Sequence, residues 1–427
     1  MIKQFKKSEQ LLIRAQKSIP LGSQTFSKSK VAYPLGVSPL FIERGIGCQV
    51  WDVDGNQYTD FVSGLLSVSL GYCDEDVDNA VIKQLKSGVT FSLPHSLETE
   101  VAEMIIDMVP CAEMVRFGKN GSDATSASIR LARAHTGREH IGVCGYHGWQ
   151  DWYIGSTTRD LGVPNSTKLL THPFQYNDIN SLKNVLEKNA CAAIIMEPMN
   201  LNFPDGNFLQ EVKSLCHQHG ALLIFDEMIT GFRFAKAGAQ ALFNVTPDLA
   251  TFGKGMANGY PISAVVGRKD VMMLMEDIFF SGTFAGETLS LAATKATLTK
   301  IKNLAVIEHI NAMGSELISG LQSILTQMGS PEWLKLCGHP SWSFLQILDC
   351  APYSNWQLKS LFLQEMAQKG FLMGGGHNIS FAHQAQDISK LIDAYRDVLP
   401  FLENTIKQQN FGDVFHGEVL KPLFKVR

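Results

Sequence analysis

The chain has 427 residues, 45% hydrophobic and 18% charged, with 37 basic against 41 acidic side chains and a net charge of −4. That length allows two or three domains of ~100–200 residues, or one large domain with a smaller partner, and the apolar fraction excludes wholesale disorder. The weak negative balance offers no footprint for nucleic acid or an anionic membrane, and no apolar run approaches the ~18–20 residues a membrane span needs.

In chain order, the basic start Met1-Ile2-Lys3-Gln4-Phe5-Lys6-Lys7 leads only to the short apolar patch Leu11-Leu12-Ile13. That patch is shorter than the ~7–15 residues of a signal peptide's core, so a cytoplasmic location is expected. Phe41–Gly45 and Cys48–Val53 read as strands, followed by the hairpin-turn pair Asp54-Gly55. Asp52 and Asp54 faintly echo a calcium loop, but Gly55 comes too early and no glutamate closes the loop.

From about residue 100, helices and strands alternate. Ser96–Met108 is amphipathic, Met114–Phe117 a short strand, Asp123–His135 a helix and His140–Cys144 a strand. Cys191–Met196 and Ala221–Phe225 are apolar throughout, the pattern of strands buried on both faces of a parallel sheet. Phe208–His219 is the helix between them, and beyond about residue 285 a long helical stretch enters an α+β tail. This predicts an α/β protein with a mostly parallel wound sheet. A large domain over 61–314 would be flanked by a smaller α+β domain made from 1–60 and 315–427. The eight cysteines contain no Cys-x-x-Cys pair, which points to reduced thiols and no metal site.

Ligands of open α/β sheets bind outside the carboxyl ends of the strands, so the residues just after the apolar strands carry the chemistry. Glu197 follows Met196 and Asp226 follows Phe225. One such carboxylate reads as a helix cap or a structural ion pair; two at neighbouring strand ends suggest a site that needs fixed negative charge. Lys254 lies between Gly253 and Gly255 in a mostly apolar stretch, where desolvation lowers an amine's pKa and makes it an imine-forming nucleophile. Gly121-Ser122-Asp123 opens a helix whose amino end could hold a phosphate, although Ser122 could equally be an ordinary cap. Tyr146-His147-Gly148 follows a strand end, where an aromatic is either core or a cover for a flat heterocycle. Together these elements fit one cofactor, pyridoxal 5'-phosphate, with Asp226 keeping the pyridine nitrogen protonated.

With these residues assembled, the chain resembles the class III (subgroup II) pyridoxal-phosphate aminotransferases, most nearly the glutamate-1-semialdehyde 2,1-aminomutase branch. The resemblance runs through Leu40–Arg44 with Trp51–Gly55, Ile129–Arg133 with Thr136–Arg138, and Tyr146–Gly148. It continues through Glu197-Pro198, Gly220–Arg233, Gly238–Gln240, Thr246–Asp248 and Gly253-Lys254. It implies fold type I and a homodimer with active sites at the dimer interface. It further implies Lys254 as Schiff-base lysine and proton shuttle, Asp226 as the pyridine-nitrogen partner, Gly121 and Ser122 on the phosphate, and Tyr146 on the ring. Thr283 matches the threonine that reaches the phosphate from the other subunit. Asp123, His147, Glu197 and Met228 belong to the same cofactor-binding motifs. Ile229 stands where many relatives place a glutamine, and Asn202 where the aminomutase branch places an asparagine.

Some departures separate the chain from the aminomutase. Phe26-Ser27-Lys28 stands in place of the segment carrying a substrate-binding arginine, which leaves Lys28 as the candidate substrate cation without the bidentate fork. The stretch between Trp149 and Tyr176 is shorter than the aminomutase's gating loop. Gly374–Ser380 resembles homologues from surface-polysaccharide pathways. The expected activity is therefore amino transfer from a donor to a carbonyl acceptor, a sugar or other small aldehyde or ketone. The intramolecular aminomutase is the alternative. A non-catalytic scaffold is disfavoured by the intact Lys254, Asp226, Ser122 and Thr283.

Overall fold

The computed structural model describes residues 3–422. The chain divides into two compact units: a terminal unit comprising the residues up to Leu65, Leu70–Asp74 and the chain from Glu308 on, and a central unit comprising Leu66–Ser69 and Glu75–Ile307. Residues 61–65, 70–74 and 308–314, expected in the large domain, group instead with the terminal unit. Backbone pairing accounts for the first two stretches: Phe61 N–H donates to Leu372 O at 3.0 Å, and Gly47 and Tyr72 exchange two bonds of 2.8 Å each.

The terminal unit begins with β1 (Ile42–Ile46), β2 (Gln49–Asp52) and β3 (Gln57–Asp60), in which Asp54-Gly55 turns the chain between β2 and β3. The central unit carries β4 (Met114–Gly118), β5 (His140–Cys144), β6 (Thr171–Pro173), β7 (Cys191–Met196), β8 (Leu222–Asp226), β9 (Leu249–Phe252) and β10 (Ser263–Gly267). The terminal unit resumes with β11 (Leu334–His339), β12 (Trp342–Ile347), β13 (Phe371–Leu372) and β14 (Gly376–Asn378).

The seven central strands form one sheet in the order β4-β10-β9-β8-β7-β5-β6. β10 is antiparallel to both its neighbours and the remaining pairs are parallel. Since β4 and β9 each oppose β10, they run in the same direction, and six strands end at one edge. Every residue of β7, β8, β9 and β10 is buried. The missing polar alternation in Cys191–Met196 thus reflects layers on both faces, where Ile129 and Leu131 join Ile195 and Ile224 in one core. The helix Gly121–Thr136 starts earlier than its apolar pattern suggests. Asn120 is its cap and pairs with Asp123 in a capping box, and Gly137 at φ +67° ends it.

Candidate active site

The common carboxyl edge of β4, β5, β7, β8 and β9 collects the polar residues. Asp226 is the last residue of β8 and only 3% exposed. A carboxylate so placed must be satisfied, and three donors do so. His147 Nδ1 lies 2.8 Å from its Oδ2, while Met228 N–H at 3.1 Å and Thr251 Oγ1 at 3.3 Å donate to Oδ1. Thr251 is held opposite Asp226 by the parallel register of β8 and β9. A carboxylate only accepts, so the hydrogen of His147 sits on Nδ1. Nε2 is buried and has no partner among the described residues.

Tyr146 and His147 are bracketed by Gly145 at φ +111° and Gly148 at φ +102°. Both brackets need glycine: a Cβ on Gly145 would fall 2.4 Å from Glu197 Oε2, and one on Gly148 would fall 2.2 Å from Ser122 Oγ. The tight passage lets Tyr146 N–H donate to Glu197 Oε2 at 3.1 Å and Trp149 N–H donate to Ser122 Oγ at 3.1 Å. Glu197 also accepts from Asn200 Nδ2 at 2.8 Å. Burial, reinforced by the charge of Asp226, raises the Glu197 pKa. Tyr146 is half-exposed, with its edge set by a T-shaped contact to Tyr153 at 5.6 Å between ring centroids.

Lys254 follows β9 and opens a 3-10 turn with φ +23°, a conformation uncommon outside glycine and typical of over-determined functional positions. Its Nζ takes part in no hydrogen bond or ion pair among the described residues. Burial pulls its pKa down against the opposing pull of Glu197 and Asp226, and the nearby Arg233 pushes it the same way as burial. A lysine kept partnerless and partly desolvated is a nucleophile.

Gly121 and Ser122 occupy the first turn of a 16-residue helix, where amide hydrogens lack intrahelical acceptors. Ser122 is inside the helix rather than its cap. Asp123 faces backwards instead, accepting from Lys119 N–H at 2.9 Å and Asn120 N–H at 3.0 Å, so it fixes the turn. Met228 places its thioether beside both Gly121 and Gly253: added Cβ atoms there would lie 3.0 Å and 2.7 Å from its sulfur.

Three predicted residues are not drawn into this cluster. Asn202 is exposed on its loop, and the amide on Glu197 comes from Asn200. Thr283 is exposed in a loop of the central unit. Lys28 belongs to the terminal unit, where its backbone N–H bonds Thr25 Oγ1 and its side chain is exposed. Asn200, Thr251 and Tyr153 escaped the sequence reading. Only Asn200 carried a local signal, three residues after Glu197.

The donor set fits pyridoxal phosphate. A histidine-held carboxylate suits a protonated pyridine nitrogen, first-turn amides with the Ser122 hydroxyl suit a phosphate, and an unpaired amine suits an aldehyde. No group of three or more potential metal ligands occurs among the described residues. The sequence pattern described as Aminotransferase class-III matches residues 32–338. The chain is 34% identical over 376 residues to a 3-aminobutyryl-CoA aminotransferase of Cloacimonas acidaminovorans, covering 85% of this chain and 90% of the relative. It is 36% identical over 394 residues to a glutamate-1-semialdehyde 2,1-aminomutase of Syntrophobacter fumaroxidans, covering 84% and 90%. The pyridoxal-phosphate internal aldimine form of the FumI protein of Sphingopyxis sp. MTA144 superimposes with a TM-score of 0.87 at 28% identity, covering 96% of this chain and all of that one. The chain is a pyridoxal-phosphate-dependent enzyme with the type I fold, and it belongs to the class-III aminotransferases.

Proposed function

We propose that this chain is a two-substrate aminotransferase of the cytoplasm that works as a homodimer. It takes an amino group from a donor and delivers it to a carbonyl acceptor, a sugar or other small aldehyde or ketone. The observation that carries the reading is the Asp226–His147 pair at 2.8 Å on the same sheet edge as the partnerless Lys254.

When bound, the cofactor supplies a protonated pyridine ring that withdraws electrons from the carbon losing its proton. Asp226 would be the partner of that ring nitrogen, and His147 keeps the carboxylate oriented toward it. Lys254 Nζ, partly buried and without a hydrogen bond among the described residues, would be the amine that holds the cofactor's aldehyde and, when free of it, the base that moves a proton at the reacting carbon. Gly121 and Ser122 would hold the phosphate, Tyr146 would cover the ring, and Thr283 of a second copy would complete the phosphate site. Phe26-Ser27-Lys28 and the short segment between Trp149 and Tyr176 favour two substrates over an intramolecular shuffle. No helix among the described residues is long and apolar enough to cross a membrane, and all eight cysteines are free.

A panel of amino donors added singly to the holoenzyme tests this reading. The cofactor's absorbance should convert to that of the aminated form with a subset of donors, and a carbonyl acceptor should reverse it. Stoichiometric conversion of glutamate-1-semialdehyde to 5-aminolevulinate with no second substrate would establish the aminomutase instead. Borohydride should fix the cofactor on Lys254; an unlabelled Lys254 would overturn its assignment.

A further inference from the structure

Between β10 and the helix Thr288–Asn303 the chain first packs on the core through Val271, Met272, Ile278 and Phe280, but Ser281–Phe284 is exposed, and Phe279 and Phe284 are 82% and 60% exposed. Three cations add polar tethers at the two ends of this exposed stretch. Arg116 of β4 donates to Phe280 O at 3.1 Å, and Arg130 of the helix Gly121–Thr136 donates to Phe279 O at 2.5 Å. Lys119, in the turn joining those elements, donates to Glu287 Oε1 at 2.8 Å, with further bonds to Pro261 O at 2.9 Å and Ser290 Oγ at 3.3 Å. Glu287 in turn caps the following helix through Leu289 N–H and Ser290 N–H. Burial pushes the Glu287 carboxyl up, but hydrogen bonds from Lys119 and Ser290 outweigh it and hold the pKa below its ordinary value.

All three cations therefore stand on the elements that present Gly121 and Ser122. Charge-assisted bonds at both ends of a loop fix its direction even where packing does not. Between the tethers lie small residues, Gly282, Thr283, Ala285 and Gly286, which allow close backbone approach. The exposed Phe279 and Phe284 beside them form apolar surface of the kind that a partner chain covers.

We propose that Arg116, Lys119 and Arg130 are positioning residues for the cofactor phosphate of a second copy of this chain. They set how the loop projects from one subunit's own phosphate turn, so that Thr283 meets the phosphate bound by the other. The inference rests on the reading of Thr283 given above and adds the device that aims it.

The test follows cofactor loss from the full-length holoenzyme diluted into inorganic phosphate, for wild type, Thr283→Ala, Lys119→Gln, Lys119→Arg and the double variant Lys119→Gln/Thr283→Ala. Loss should be about tenfold faster in Lys119→Gln and in Thr283→Ala, as expected for one charged hydrogen bond removed. The double variant should be no worse than either, since both act through one contact, and Lys119→Arg should recover most of the retention. Enzyme reconstituted with pyridoxal, which has no phosphate, should release it at the same rate in every variant. Fast loss in Thr283→Ala with loss in Lys119→Gln within about twofold of wild type would overturn the positioning role alone. Unchanged loss in Thr283→Ala would overturn the reading of Thr283 and the inference with it. Equal loosening of pyridoxal and of the phosphorylated cofactor in Lys119→Gln would assign Lys119 to general folding.

Discussion

The carboxyl edge of the central sheet and the small sheets of the terminal unit each shut a histidine away from solvent, and the two are used differently. His147 spends Nδ1 on Asp226 and leaves Nε2 buried without a partner among the described residues. His377 spends both nitrogens: Nδ1 lies 2.9 Å from Ser343 Oγ, and Nε2 lies 2.6 Å from Tyr395 OH. The contrast lies beside the carboxylates rather than in them: Asp60 and Asp226 each accept from three donors, but Asp226 and Glu197 sit at strand ends near Lys254, whose Nζ has no bond among the described residues. Burial of a titratable group therefore does not mark a site by itself. Incomplete pairing at the edge of a rigid sheet does, because that spare capacity is what a ligand takes up.

On that contrast, the largest effects come from the incompletely paired Lys254 and from the carboxylate and histidine grouped with it at the sheet edge. Lys254→Ala should abolish multiple turnover while the protein still binds some cofactor, since the other contacts remain. Retained turnover would break the contrast at its strongest point. Asp226→Asn keeps the shape but loses the fixed charge, and kcat should fall roughly a thousandfold, as when one preorganised electrostatic group is removed. His147→Phe preserves the ring's volume but strips Asp226 of a donor. A drop of about 10–100-fold is expected, as for the removal of other orienting partners. Steady-state kinetics on a competent donor and acceptor order the three; a His147 effect equal to that of Asp226 would show that the histidine does more than orient.

These three residues differ in how far they could be read from the sequence. Asp226 and Lys254 are legible because the signal is local: an uninterrupted apolar strand ends in a charge, and a lysine sits between glycines. The parallel sheet is legible for the same reason, since Cys191–Met196 shows no alternation. His147 was placed in the site by its motif, but its bond to Asp226 joins residues 79 apart in sequence. The tethers from Arg116, Lys119 and Arg130 span 149–168 residues. No periodicity encodes such pairs. Backbone geometry is also hidden. Ser63, Gly64, Leu65 and Leu66 run consecutively at φ +47°, +57°, +60° and +71°, although only one of them is glycine. The turn is held from outside, by Asp60 Oδ1 accepting from Val62 and Ser63 N–H and by Ser63 Oγ donating to Asn378 O. Those contacts also pull 61–65 into the terminal unit, where composition alone would leave them in the large domain.

The smallest predicted effect concerns His377, and it tests the other half of the contrast. Burial lowers its pKa from 6.5 to about 4. The folded state therefore holds it neutral while the unfolded chain protonates it, so between these values the unfolded chain binds more protons and stability falls as pH falls. The contribution is intact above pH 6.5, shrinks through that window and is fully lost below about 4. At about 1.36 kcal/mol per pH unit, the loss across the window is roughly 3 kcal/mol. Ser343 and Tyr395 carry no charge near pH 5, so neither neighbour compensates for a proton on the ring. His377→Phe keeps the ring's bulk and removes the titration, but leaves two hydroxyls unpaired at about 1–3 kcal/mol each. Its denaturation midpoint should lie below wild type at pH 7, and the gap should narrow steadily toward pH 4. Parallel midpoint curves for the two proteins would mean that His377 is not held neutral. The Ser343–His377–Tyr395 chain would then hold a buried charge with both ring nitrogens donating, and the histidine of the terminal unit would not be the inert counterpart of His147.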